Sequence, residues 1–161
     1  MTKNEYDIAV KEHANALYGF GIKFLRDSEN AQDIVQDVFE KLWINRSAVE
    51  FRKAKSWMFT TAYHAILNFI KRRKRMDYDS DRLPEKGEVA NFKFVSNEVV
   101  ERAISILPPL QKSIILLRDL EGYSYQEIGD ILEISDSQVK VYLFRARNKI
   151  KKQLKDSRKL V

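Results

Sequence analysis

The 161-residue sequence contains no cysteine. A disulfide framework, a thiol nucleophile and a zinc ribbon are therefore excluded. The chain also lacks any apolar run near the length of about 18 residues that marks a membrane span. The first residues, MTKNEYDIAVKEH, carry charges where a signal peptide needs an apolar core, so we expect a cytoplasmic protein without direct membrane insertion.

Glycine and proline are scarce, with five and three residues respectively. Apolar residues recur instead at spacings of three and four along most of the chain, which is the period of an amphipathic helix. The sequence therefore predicts an all-α fold. The formal net charge of +6, from 29 Lys+Arg against 23 Asp+Glu, favours an anionic partner, with nucleic acid first and a membrane surface second.

The helical period is lost over residues 76–95. This segment contains Pro84 and Gly87 and is dominated by polar and charged side chains, a composition typical of an interdomain linker. We predict two small helical domains, residues 1–75 and 96–161, joined by this flexible linker. The expected helices of the first domain run from about Glu5 to Leu25, from Glu29 to Trp43 and from Ser56 to Arg73.

The second domain is predicted to end in a helix-turn-helix. Ser124 is followed three residues later by Glu127, and Ser135 by Gln138; in each pair the two residues can cap a helix start reciprocally. Each pair precedes an apolar stripe at helical spacing. Two short capped helices in succession are typical of a helix-turn-helix.

The turn and the outer face of this motif carry further information. Glu133-Ile134 occupies the turn where glycine is common, so one of these residues is expected at positive φ. The outer face of the second helix is both basic and apolar: Lys140, Val141, Phe144, Arg145 and Asn148. Cations can donate to guanine edges and apolar groups can contact thymine methyls in the major groove. An ordinary helical hairpin with a solvated basic face is the alternative.

The second predicted helix is two-sided. Its apolar stripe is Ala31, Ile34, Val35, Val38, Phe39 and Leu42. The opposite side carries acidic residues at spacings of four, four and three: Glu29, Asp33, Asp37 and Glu40. Because like charges at this spacing destabilise a helix by a few tenths of a kcal/mol each, roughly, the row suggests docking onto a basic partner. A solvated face and a carboxylate metal site are alternatives, but neither histidine stands in the Glu-x-x-His element that such a site uses.

The third predicted helix has a mixed polar face. Along it stand Trp57, Thr61, His64, Asn68 and Lys71, at spacings of four, three, four and three, leading into the basic run KRRKR. Aromatic and hydrogen-bonding side chains suit exposed bases, while cations hold phosphate. We therefore predict a path for single-stranded nucleic acid. A basic helix end that complements the helix dipole is the alternative for the basic run alone.

Three segments, in this order, resemble the extracytoplasmic-function sigma factors, the minimal form of the sigma subunit of bacterial RNA polymerase. They are AQDIVQDVF at 31–39, SWMFTTA at 56–62, and the stretch from Leu107-Pro108 to YLFRAR at 142–147. The resemblance covers nearly the whole chain. It implies as partners the core polymerase (the β′ clamp helices and the β subunit), promoter DNA and an anti-sigma factor.

The resemblance also implies roles for particular residues. Docking on the β′ clamp helices would use Asp33, Gln36, Asp37 and Glu40. Recognition and opening of the −10 element, with capture of an unstacked base of the non-template strand, would use Trp57, Thr61, His64, Asn68, Lys71 and Arg72. Binding of the −35 duplex would use Ser137, Gln138, Lys140, Val141, Phe144, Arg145 and Arg147. The family often has Arg-Asn where this chain has Tyr63-His64, which leaves the preferred −10 base open.

Three function hypotheses follow. The first is a promoter-specificity subunit of RNA polymerase that is not an enzyme, since the sequence holds no nucleophile–base pair, no phosphate-cradling glycine loop and no cofactor or metal ligand cluster. The second is an autonomous helix-turn-helix regulator that binds duplex operator DNA. The third is a metalloenzyme built on the acidic row.

Overall fold

The computed structural model describes the backbone of residues 1–80 and 95–159 and the side chains of residues 1–76 and 98–156. Within these residues the chain forms seven α-helices and no strand, which confirms the predicted all-α class. The described helices pack into two compact units, one holding the first three helices and the other holding the last four.

The first unit consists of α1 (Lys3–Leu25), α2 (Ser28–Ile44), a short 3-10 helix (Phe51–Lys53) and α3 (Ala54–Ser80). Helix α1 starts earlier than the periodicity predicts, because Thr2 and Glu5 form a capping box. Arg26 adopts left-handed backbone angles (φ 54°) and ends α1. Asp27 then caps α2 by accepting from the Asn30 amide at 3.1 Å.

An aromatic core holds these helices together. Phe20 of α1 packs edge-on to Phe59 of α3, with ring centroids 5.7 Å apart. The whole predicted stripe of α2 is buried, which confirms that side of the helix as core. Gly21 allows α1 and α2 to approach closely, since a Cβ there would stand 3.2 Å from Cβ of Ala31. The acidic side of α2 is therefore turned outward by the packing of its other side.

The second unit consists of α4 (Val95–Ser105), α5 (Pro109–Ile115), a π-helical turn (Leu116–Leu120), α6 (Tyr125–Leu132) and α7 (Asp136–Lys159). The chain continues directly from α5 into the π-helical turn, without a break at Ile115. Gly122, at φ 70°, closes this turn. The core is aliphatic and includes Ile114, Leu117, Ile128, Ile131, Val139, Leu143 and Ala146.

The segment predicted as a linker lies between these units. Helix α3 continues through its first residues to Ser80, and α4 begins at Val95. Residues 81–94 lie outside the described part of the chain, so the flexible linker stays a prediction. None of the helices that the structure describes combines the length and the apolar character needed to cross a membrane.

Candidate nucleic-acid and partner interfaces

Helices α6 and α7 form the predicted helix-turn-helix. At the start of α6 the Ser124 hydroxyl accepts from the Glu127 amide at 3.1 Å, and the Glu127 carboxylate accepts from the Ser124 amide at 3.2 Å. At the start of α7 the same exchange joins Ser135 and Gln138, at 3.2 and 2.9 Å. Both capping boxes predicted from the sequence are confirmed, and they define where each helix of the motif begins.

The turn between α6 and α7 is held by backbone contacts. Glu133 has φ 60° and ψ 44°, so the expected non-glycine residue at positive φ is confirmed. The Ile134 amide donates to the Gly129 carbonyl at 3.0 Å. A Cβ on Gly129 would stand 2.6 Å from the Ile134 carbonyl oxygen, closer than van der Waals contact allows. The helical pattern of the sequence does not reveal this requirement, because a glycine inside a helical pattern is tolerated at a cost of about 1 kcal/mol relative to alanine.

The outer face of α7 is open to solvent. Its predicted DNA-binding residues are all exposed: Ser137, Gln138, Lys140, Val141, Phe144, Arg145 and Arg147. Phe144 is 67% exposed and Val141 46%, although both are apolar, whereas the opposite side of the same helix is buried. Exposed apolar groups among cations on one helix face match what the major groove offers, which is acceptor atoms beside thymine methyls.

One predicted DNA contact already has an intramolecular partner. The Arg147 guanidinium donates to the Asp119 carboxylate at 2.6 Å. This hydrogen bond raises the pKa of Arg147 above its ordinary value, so the side chain is charged at any physiological pH. Asp119 belongs to the π-helical turn after α5, and sequence reasoning did not find this pair because it joins distant segments.

Two residues outside α7, Arg118 and Tyr125, lie in a cluster with Lys140 of α7. The Arg118 guanidinium lies 4.5 Å from the ring centroid of Tyr125, and the Lys140 ammonium lies 5.6 Å from the same ring. Arg118 also donates to the Tyr123 carbonyl at 2.8 Å, which fixes its direction. Arg118 and Tyr125 were not predicted, but they extend the cationic surface of α7 toward the N-terminus of α6, where the backbone amides also attract anions.

In the first unit, α2 presents the predicted acidic row to solvent. Glu29, Asp33, Gln36, Asp37 and Glu40 are all exposed. Gln36 donates to the hydroxyl of Tyr18. Among the residues that the structure describes, Asp33, Asp37 and Glu40 form no ion pair, and no three His, Cys, Asp or Glu side chains come together as a metal site. Within the described residues, the row is therefore an exposed band of carboxylates that are not ion-paired.

An exposed apolar patch, Trp43 and Ile44, follows the acidic row at the C-terminal end of α2. The sequence pattern did not indicate it. Ile44 is 73% exposed and Trp43 36%. The Arg46 guanidinium lies 3.7 Å from the Trp43 ring centroid, and the Tyr6 ring meets the same indole edge-on at 5.0 Å. The sequence pattern placed both residues at a helix end, where exposure cannot be read from periodicity.

The predicted polar face of α3 is continuous. Trp57 and Thr61 are partly exposed, and the remaining predicted residues on this helix, His64, Asn68, Lys71 and Arg72, are exposed. The Thr61 hydroxyl donates to the Trp57 carbonyl at 2.8 Å. The structure thus brings all six predicted −10 residues onto the exposed surface of one helix.

A cleft of about 220 Å³ opens beside Trp57. Its other walls come from the connection between α2 and α3 and include Asn45, Val49, Glu50 and Lys53. The Met1 ammonium donates to the Val49 carbonyl at 3.3 Å, on the same connection. No periodic signal in the sequence could locate this cleft, because its walls depend on the path of a non-helical segment.

Comparison with known proteins covers both units. The family model for Sigma-70 region 2 matches residues 9–76, and that for Sigma-70, region 4 matches residues 97–150. The RNA polymerase sigma-H factor of Pseudomonas aeruginosa is 26% identical over 170 residues, covering 94% of this chain and 87% of that protein. The ECF RNA polymerase sigma factor SigM of Bacillus subtilis is 26% identical over 144 residues, covering 86% and 88% respectively.

The fold is shared with solved structures as well. The sigma factor RpoE, from a complex with the anti-sigma factor NepR of Bartonella quintana, has a TM-score of 0.80 at 24% identity, covering 94% of this chain and 98% of that one. CnrH, in complex with the cytosolic domain of CnrY, has a TM-score of 0.71 at 21% identity, covering 96% and 90%. Matches to both sigma regions, in the right order on two helical units, show that the chain belongs to the sigma-70 family of RNA polymerase sigma factors, of the extracytoplasmic-function type.

Proposed function

We propose that this sigma factor directs promoter-specific transcription initiation through three separate surfaces. The acidic row of α2 docks on the β′ clamp helices of core polymerase through Asp33, Gln36, Asp37 and Glu40. The polar face of α3 recognises and opens the −10 element, and the outer face of α7 binds the −35 duplex. The observation that carries the proposal is that each of these charged or mixed faces is exposed on a helix whose opposite side is buried.

The docking role of α2 is supported by its row of exposed carboxylates. Like charges along one helix face are unfavourable for the isolated helix, and among the described residues Asp33, Asp37 and Glu40 form no ion pair. A basic partner would remove this repulsion on binding, and complementary charge also speeds encounter. The exposed Ile44 at the end of the row adds apolar area to the same docking surface.

The −10 role of α3 is supported by the cleft beside Trp57. A volume of about 220 Å³ is enough for a nucleobase, and the indole offers a stacking surface for it. Stacking on an aromatic side chain is worth about 1–3 kcal/mol per base, which helps to hold the −10 strand open. Lys71 and Arg72, further along α3, then hold the phosphates of the same strand.

The −35 role of α7 is supported by its mixture of cationic and apolar exposed groups. Lys140 and Arg145 supply donors for base edges or phosphates, while Val141 and Phe144 supply apolar contacts.

As a promoter-specificity subunit, the chain would have no catalytic activity and no cofactor of its own, and it would act in the cytoplasm, where the polymerase works. Because the structural neighbour RpoE was solved in complex with the anti-sigma factor NepR, we include an anti-sigma factor among the partners.

The test is transcription by core polymerase on genomic DNA with and without this chain, followed by sequencing of the transcripts. We expect new start sites that share two spaced sequence elements. Transcription that is indifferent to the added chain would contradict the proposal. The autonomous regulator is disfavoured because the first unit matches sigma region 2, which a lone helix-turn-helix does not require.

A further inference from the structure

The carboxylate of Asp119 lies against the cationic surface that α7 presents to solvent. Its Oδ1 accepts from Nη2 of Arg147 at 2.6 Å, and the two side chains are 44% and 48% exposed. Arg147 stands seven residues after Lys140, so the two side chains leave the helix in directions only about 20° apart. The Asp119 carboxylate is therefore hydrogen-bonded to a guanidinium on the side of α7 that is proposed to contact DNA.

This ion pair has the chemistry of a contact to nucleic-acid backbone. A guanidinium presents a planar fork of donors that fits the oxygens of carboxylate and of phosphate in the same way. An ion pair exposed to this extent is screened by water and is weak, so it can exchange with an incoming phosphate. Arg118 and Lys140 leave the neighbouring surface cationic around Tyr125, which brings phosphate close.

We propose that Asp119 takes the place of a DNA phosphate in the free protein. Its carboxylate binds the Arg147 guanidinium until the second unit binds duplex DNA, when a phosphate replaces the carboxylate. The inference rests on the proposed contact of α7 with the −35 duplex. Binding exchanges one carboxylate for one phosphate, so Asp119 lowers the affinity for duplex DNA. Because a phosphate contact carries no sequence information, Asp119 tunes overall affinity and leaves base preference unchanged.

The exchange also predicts the salt dependence. A cation that is already neutralised by a carboxylate releases fewer counterions from DNA than a free cation does. In the 161-residue chain, Asp119→Asn is expected to raise the affinity for a fluorescent duplex of random sequence about two- to fivefold, the range that a surface ion pair corresponds to. The slope of log affinity against log salt, measured between about 50 and 200 mM, is expected to steepen by nearly one.

The gain in duplex affinity must depend on Arg147 if Asp119 acts by binding its guanidinium. Arg147→Ala is expected to weaken duplex binding in the wild-type background and to weaken it by a larger factor in the Asp119→Asn background, so that Asp119→Asn gives no gain once Arg147 is absent. Arg147→Lys keeps the cation but loses the planar fork that fits the carboxylate, so it is expected to steepen the salt slope as well. Circular dichroism of each variant verifies that it is folded before its affinity is compared.

Two controls separate the possible failures. Asp130→Asn removes the same charge from an exposed position of α6, turned by about 140° from Tyr125 around that helix, and is expected to leave affinity unchanged. Lys140→Ala is expected to weaken binding in every background; if it has no effect, the proposed −35 role of α7 fails. If Lys140→Ala weakens binding but Asp119→Asn gives no gain, or gives one that persists without Arg147 or is matched by Asp130→Asn, the role of Asp119 is overturned.

Discussion

A Cβ atom on Gly129 would lie 2.6 Å from the carbonyl oxygen of Ile134. The Ile134 amide in turn donates to the carbonyl of Gly129 at 3.0 Å. The backbone of the turn thus packs directly against the backbone of α6, with no side chain between them. This contact fixes the path from α6 into α7, and so fixes how the outer face of α7 is presented.

Substitution of Gly129 is therefore expected to damage the second unit specifically. Gly129→Ala must displace the turn, and we expect a loss of about 2 kcal/mol or more in the free energy of unfolding of this unit, in the range of overpacked cores. The matched control is Gly122→Ala. Gly122 has φ 70° but open space around its Cβ position, so only the strain of about 1 kcal/mol is expected.

Hydrogen exchange of backbone amides in α6 and α7 measures both variants in the intact chain, because protection in these helices reports the stability of the second unit alone. Equal loss of protection in Gly129→Ala and Gly122→Ala would contradict a steric role for Gly129.

The strained residue of the same turn offers the opposite test. Glu133 holds φ 60°, a conformation that costs a non-glycine residue about 1 kcal/mol. Glu133→Gly is expected to stabilise the second unit by up to about 1 kcal/mol, whereas Glu133→Ala keeps the strain and is expected to be near neutral. Hydrogen exchange again provides the readout. A Glu133→Gly variant no more stable than Glu133→Ala would show that the turn is not strained at this residue.

Local signals in the sequence predicted these elements well, because caps and apolar stripes act within a few residues. The two serine capping boxes and the buried stripe of α2 lie where their patterns place them. The box formed by Thr2 and Glu5 is equally local but precedes the apolar pattern, so the start of α1 was placed too late.

Features that depend on distant segments could not be predicted from pattern. The π-helical turn brings Asp119 to Arg147, which is 28 residues away in sequence. The cleft beside Trp57 depends on the course of the segment between α2 and α3. In both places the decisive contacts are tertiary, and neither composition nor periodicity encodes them.

The indole of Trp57 is expected to contribute directly to binding of single-stranded DNA. Trp57→Ala should weaken binding of a short single-stranded oligonucleotide of mixed sequence about tenfold, since base stacking is worth about 1–3 kcal/mol. Trp43→Ala is the matched control, because Trp43 is the other tryptophan of the sequence but lies at the end of α2, against the Arg46 guanidinium. Fluorescence anisotropy measures both variants, and equal weakening would contradict a particular role for Trp57.

The stability of the first unit is expected to fall in mild acid because of His13. Burial lowers the pKa of His13, with Lys55 lowering it further and Glu12 opposing the shift. The folded state therefore binds a proton less readily than the unfolded chain. The neutral His13 therefore contributes its full stabilisation above the pKa of the unfolded chain, about 6.5. This stabilisation is lost as the pH falls through the lower pKa of His13 in the folded state.

Replacement of this imidazole by a neutral group tests the assignment. His13→Gln is expected to have a shallower loss of unfolding free energy than the wild type on going from about pH 7 to pH 5. Tryptophan fluorescence in urea reads out the first unit, since both tryptophans of the chain, Trp43 and Trp57, lie in it. An identical pH dependence in the two proteins would exclude His13 as the responsible group.

The affinity of this chain for core RNA polymerase tests the central claim most directly. The double charge reversal Asp33→Lys with Asp37→Lys places two cations in the row that is proposed to meet the β′ clamp helices. We expect the affinity for core polymerase to fall at least about tenfold, because like charges brought together at an interface cost several kcal/mol, while binding of duplex DNA by the second unit is unchanged. Asp7→Lys, a reversal on the exposed surface of α1, should leave polymerase affinity as it is. If polymerase affinity were the same in the double variant as in the wild type, the acidic row of α2 would not be the docking surface.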